Sequence, residues 1–177
     1  MTDESSLRSR RGARELIVKA LYQWQLADHS ESEIRSQFAD KPEYDRIDQD
    51  YFKDLLGIIL NKINFLDAAI GKHADREVKQ LDAISRAVLL LSIAELSERR
   101  DIPKKVSINE AVELAKRYGP KDCFRFINAV LDRYSKEDHK PIMEEQSDDE
   151  VSENDLLEDF DLRKAIISSE ILNRPEL

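Results

Sequence analysis

Five cations crowd the start of the chain. Arg8, Arg10, Arg11, Arg14 and Lys19 face a single acid, Glu15, for a local charge of +4. Arg11, Arg14, Val18 and Tyr22 follow one another at steps of three or four, so one flank of a helix would carry guanidinium groups and, two turns on, a ring. A planar guanidinium holds a phosphate through two hydrogen bonds, and an exposed ring gives an unstacked base a surface to rest on. That pairing suits single-stranded RNA. A second such group lies at Lys121, Arg125 and Phe126, where Asp122 is the opposing charge and can stabilise a helix N-terminus. Phe126 projects about 200° from Phe124 on a helical wheel, at the edge of the expected core stripe, where it could stack a base.

Other chemistry has little to work with. His29, His73 and His139 are far apart in sequence and no pair has a metal-ligand spacing such as HExxH. Cys123 stands alone beside a core face and reads as packing. Gly12, Gly57, Gly71 and Gly119 are isolated, so there is no glycine-rich phosphate loop. The expectation is a non-enzymatic binding protein without metal or cofactor.

The basic flank needs helices to carry it. A first helix is expected from about Leu7 to Ala27, burying Ala13, Ile17, Ala20, Leu21 and Trp24. Ser30 or Ser32 can cap a short second helix that buries Ile34 and Phe38 and stops at Pro42. A third is expected over 45–62, with Tyr51, Phe52, Leu55, Ile58 and Ile59 apolar, and a fourth continues through Leu66 and Ile70. The polar run DREVKQ reads as the connection between two halves. Leu81 to Leu96 is apolar on most sides, as the buried helix of the second half would be. Ser107 and Glu110 have the spacing of a capping box, which would start a helix carrying Ala111, Ala115 and Tyr118. Gly119 then offers a left-handed stop before Pro120. The last helix turns Phe124, Ile127, Val130, Leu131 and Tyr134 to one face.

The expected fold class is therefore all-α: a helical bundle of two packed three-to-four-helix halves over residues 1–138. An acidic, mostly disordered tail would fill 139–177. Charged residues at 37% and only four glycines favour helices over a turn-rich β protein. The net charge of −9 misleads, because residues 137–177 carry −10 and the rest +1. A run as acidic as EEQSDDEVSENDLLED cannot bury enough apolar surface to order itself. A lone cysteine points to a cytoplasmic setting. No apolar run reaches the ~20 residues that cross a bilayer, so no membrane is expected.

Three stretches carry a family resemblance. INEAVELAKRYGPKDCFRFINAVLD resembles the C-terminal half of the NusB family of bacterial transcription antitermination factors. ARELIVKALYQWQL is similar to that family's first helix, and SRAVLLLSIAEL with the Ile102-Pro103 corner to the segment before its last two helices. All three stand in order between roughly residues 8 and 136. The resemblance implies binding of boxA RNA in ribosomal RNA leaders through an arginine-rich helix, with Arg10, Arg11 and Arg14 matching and Gly12 standing where many members have another arginine. It places Tyr22 in the ALY motif and Lys121, Arg125 and Phe126 beside the RNA. It also implies a protein partner, NusE of the small ribosomal subunit, on an outer face near Ser85 and Arg86, all on the transcribing RNA polymerase with other Nus factors. An alternative is a non-catalytic RNA-binding or adaptor module related to the N-terminal domain of ribosomal RNA methyltransferases. Those enzymes carry an α/β domain downstream, and only 41 residues follow Lys136.

Overall fold

Helix α1 (Glu4–Leu26) buries Ala13, Leu16, Ile17, Val18, Ala20 and Leu21, a stripe at helical spacing that must find a partner surface. Its largest partner is α5 (Ala83–Glu98), whose residues from Ala87 to Ala94 are all buried. The computed structural model describes residues 4–142, and among them there are seven α-helices, two short 3-10 turns and no strand. The remainder of the expected acidic tail lies outside the described residues.

Local chemistry sets the helix boundaries in the first half. Ser30 caps α2 (Glu31–Ala39): its hydroxyl accepts the Glu33 N–H at 3.3 Å, and the Glu33 carboxylate accepts the Ser30 N–H at 2.7 Å. Both members of a capping box are present, and they hold Glu33 below the usual carboxylate range. Pro42 opens a 3-10 turn to Arg46, so α3 begins later than expected, at Gln49, and runs to Asn61. Asp48 makes that start by accepting the Tyr51 N–H at 3.1 Å. α4 (Ile63–His73) buries Leu66 and Ile70 as expected.

A 3-10 turn over Val78–Gln80 interrupts the connection. Asp82 then caps α5 by accepting the Ser85 N–H at 2.9 Å. α1, α3, α4, α6 (Lys104–Tyr118) and α7 (Cys123–Lys136) all pack against α5. Burying a leucine or isoleucine side chain contributes ~1.5–3 kcal/mol, and α5 buries such residues around its whole circumference, so it is the axis of the domain.

Two features of the last helix pair differ from expectation. Ser107 is not a cap. α6 starts four residues earlier, after Pro103, whose carbonyl accepts both the Val106 and the Ser107 N–H. Proline fixes its own φ near the helical value and Lys104, Lys105 and Val106 offer no obstacle, so the helix propagates back to it. Ser107 is left inside the helix and buried, and Glu110 turns to other work described below.

Gly119 is not left-handed either. It is extended (φ −86°, ψ 169°), and the one positive φ among non-glycine described residues belongs to Asp122, at 62°. Glycine is needed at 119 for space. A Cβ there would lie 2.3 Å from Cys123 Sγ and 2.7 Å from the Ala115 carbonyl oxygen. The Cys123 thiol donates to that same carbonyl at 3.6 Å, and burial raises its pKa, as expected of a packing residue.

The described body does not end at Asp138. Ile142 is 1% exposed and its N–H donates to the Glu98 carboxylate. Substituting Gly119→Ala should destabilise the domain by about 1–3 kcal/mol through overpacking. Urea denaturation measures it, and Cys123→Ala in the same chain should recover only part, because the backbone clash with Ala115 stays.

Candidate nucleic-acid interface

The cations of α1 divide into two populations. Arg14 points inward. Its side chain is 6% exposed, its Nε stands 3.1 Å from both Glu95 oxygens, and its NH2 donates to Oε1 at 2.5 Å. Burial works hardest against the charge, but the hydrogen bonds Arg14 donates to Glu95, together with the attraction of Tyr51, Glu95 and Glu110, outweigh it and hold the guanidinium above its ordinary value. Tyr51 packs its ring 5.5 Å from the same guanidinium, with Arg99 at 5.4 Å and Arg10 at 6.0 Å. Burial first, then the Glu95 carboxylate, pushes the Tyr51 phenol far above its ordinary value. The flank expected to run from Arg11 through Arg14 to Tyr22 is therefore corrected: Arg14 and Val18 lie in the core, and Arg14 offers no surface to a phosphate.

The outward arginines are each held by an acid. Arg11 forms a fork with Glu110, at 2.9 and 3.2 Å, while its side chain stays 63% exposed. Arg10 spans Asp48 and Asp101, both at 3.5 Å, and Arg8 reaches Glu4 at 3.7 Å. Arg117 of α6 pairs with Glu15. Lys19 is exposed and carries its ammonium 5.8 Å from the Tyr118 ring. Next to it Tyr22, 41% exposed, and Tyr118 line a shallow apolar cleft of ~490 Å³ with Leu26, Phe38 and Ile84. The α1–α6 seam thus presents a row of cations ending at two ring faces, as a nucleic acid strand requires.

The second cluster also splits. Lys121 and Arg125 are exposed at the start of α7. Phe124 lies under Lys116 and Arg125, at 4.9 and 5.7 Å, whereas Phe126 turns towards the connection between the halves and takes Arg76 over its ring at 4.3 Å. Ser85 is 2% exposed, so it does not stand on an outer face. Its neighbour Arg86 is partly exposed, forked onto Asp67 at 2.6 and 3.0 Å and stacked 5.6 Å from Trp24. Sequence reasoning missed Arg117, Tyr118, Lys116 and Phe124. The signal was there in part, since Tyr118 ends its helix's apolar stripe and Lys19 belongs to the basic start of α1, but only the α1–α6 contact brings them together.

The profile of the NusB family matches residues 11–136. The chain belongs to the NusB family. It is 40% identical over 137 residues to the transcription antitermination protein NusB of Alcanivorax borkumensis, covering 77% of this chain and 91% of that one. With the NusB of Idiomarina loihiensis the identity is 46% over 125 residues, 71% and 90% of the two chains. Among solved structures, T. maritima NusB superposes with a TM-score of 0.66 at 30% identity, covering 78% of this chain and 96% of that one. A crystal structure of antitermination factors NusB and NusE in complex with dsRNA gives 0.63 at 27% identity, covering 73% and 97%. This NusB-family chain is a transcription antitermination factor and not an enzyme, with the all-α fold of its relatives. None of its described helices is long and apolar enough to cross a membrane.

Arg11 and Arg14 should part company on substitution. Arg14→Ala leaves Glu95 as a buried unpaired charge and should cost about 3–5 kcal/mol. Arg11→Ala removes a largely exposed pair and should cost less than about 1 kcal/mol. Urea denaturation of the two variants, side by side, checks this.

Proposed function

We propose that this chain binds boxA-type single-stranded RNA of ribosomal RNA leaders jointly with NusE, the small-subunit ribosomal protein, and acts on the transcribing RNA polymerase with other Nus factors in the cytoplasm. The observation that carries the reading is the α1–α6 seam, where Arg11, Arg117 and Lys19 lead to the exposed ring of Tyr22 and the half-buried ring of Tyr118. Its likeness to a structure of NusB with NusE and RNA supports the same partners. Arg8, Arg10 and Arg11 take phosphates at the start of α1, and Lys121 and Arg125 extend the track at the start of α7. Phe126 contributes a ring once Arg76 moves aside. Arg14 serves the track from beneath by fixing α1 against α5. NusE docks on the second half around Arg86, with Ser85 supporting that helix end from inside.

The mechanism is exchange of partners. A phosphate that takes Arg11 must displace Glu110, and one that takes Arg117 must displace Glu15, so these two contacts replace internal ion pairs. Non-specific affinity is held down accordingly. Specificity rests on bases seated at the rings and on the added NusE surface.

Filter binding of boxA RNA over a salt series tests the reading, with and without NusE. Each phosphate contact contributes ~0.7 to the logarithmic salt slope on single strands. Arg11→Ala and Lys19→Ala should each flatten the slope by about that amount without changing the melting temperature by more than a degree or two, and Tyr22→Ala should weaken binding while leaving the slope intact. Slopes that do not move in either cation variant would take α1 off the RNA surface.

A further inference from the structure

The histidines that looked scattered along the sequence are partly gathered by the fold. His73, the last residue of α4, is 6% exposed, and its Nδ1 stands 2.8 Å from the Ala69 carbonyl oxygen. A carbonyl only accepts, so Nδ1 donates there, and Nε2 either donates to an acid as imidazolium or, in the neutral ring, offers its lone pair to a metal. That buried Nε2 has no hydrogen-bond partner. It faces Glu137 Oε1 at 3.1 Å. His139 completes the group: its ring stacks on Tyr134 with centroids 3.8 Å apart and meets His73 edge-on at 6.1 Å. Its Nε2 is 2.9 Å from the Tyr134 carbonyl oxygen and 3.9 Å from Glu137 Oε2. One nitrogen from each ring and one carboxylate oxygen lie within 4.8 Å of one another.

Two imidazoles and a carboxylate are the donors of a three-ligand zinc site with its fourth position left to water. Ligand atoms ~2.0–2.1 Å from a tetrahedral zinc sit roughly 3.3 Å apart, and His73 Nε2 and Glu137 Oε1 already stand at 3.1 Å. The backbone carbonyl on Nδ1 is the outer partner that metal-binding histidines ordinarily have. Glu137 and His139 follow the last turn of α7, with Glu137 in extended backbone, so they are the members that close on the fixed His73.

We propose that His73, Glu137 and His139 form a site for a zinc-class divalent cation that pins the segment following α7 to the end of α4. Three cations surround it. Lys72 Nζ holds Glu137 Oε2 at 2.8 Å, Arg133 donates to the His73 carbonyl at 2.7 Å, and Arg100 donates to that of His139 at 3.3 Å. A cation on Glu137 Oε1 leaves Lys72 on Oε2 but works against this positive charge, which makes the affinity modest. Nitrogen donors also select zinc, cobalt or nickel over magnesium and calcium, which take oxygen.

The test uses the full chain, titrated with zinc and separately with magnesium in a calorimeter, beside the variants Glu137→Gln, His139→Ala and His29→Ala. Circular dichroism confirms that each is folded. One zinc should bind per chain and raise the melting temperature with concentration by mass action, while magnesium should not compete. Zinc affinity should fall at least tenfold in Glu137→Gln and in His139→Ala and stay unchanged in His29→Ala. Cobalt should give the visible absorption of a four-coordinate nitrogen–oxygen site, lost in His139→Ala. Absence of zinc binding, or binding kept equally by Glu137→Gln and His139→Ala, would overturn the proposal.

Discussion

One buried ion pair fixes how the two halves meet. Arg14 and Glu95 bring α1 and α5 together in a place where neither charge has water, and the pair answers its desolvation only through the several hydrogen bonds it makes at once. Apolar stripes alone would let two helices slide by a turn, since leucines and isoleucines substitute for each other along a groove. A guanidinium and a carboxylate that must coincide do not permit that. Tyr51 and its ring of arginines extend the constraint to α3. The outer face of α1 is then set, and with it the direction of every cation that reaches solvent.

What reaches solvent is a basic surface already neutralised by its own acids. Arg10, Arg11 and Arg117 are each engaged by carboxylates from other elements, and the body of the chain is close to neutral. Such a surface has little reach by charge alone, since screening shortens its field to about 10 Å at ordinary salt. It rewards a partner that brings several phosphates and bases to the seam together.

Much of this was legible in the sequence, and the misses share a cause. The stripes of α1 and α7 follow from spacing, and α5's apolar circumference announced a buried helix in the second half. Arg14 was misplaced because its partner lies 81 residues away, and a charged residue beside the core stripe looks the same whether it turns out or in. Ser107 and Glu110 carry a valid capping spacing, but Pro103 starts the helix first, and Glu110 is engaged by Arg11 from another helix. His73 and His139 were too distant in sequence for any spacing rule to join them. Apart from Ser107, which loses its cap to a start four residues upstream, these corrections depend on contacts between segments, which periodicity does not encode.

The long reach of the Arg14–Glu95 pair has a consequence for synthesis. Ribosomes add ~5–20 residues per second, so roughly 4 to 16 s separate the two partners. Through that interval α1 has neither its counter-charge nor the apolar wall of α5. The first half can lay α1 against α2 and α3 as it emerges, but Arg14 waits, without its counter-charge, for the second. Two halves in space are one unit in time, and a pause or truncation before Glu95 leaves a chain that has no finished domain to show for its first 94 residues.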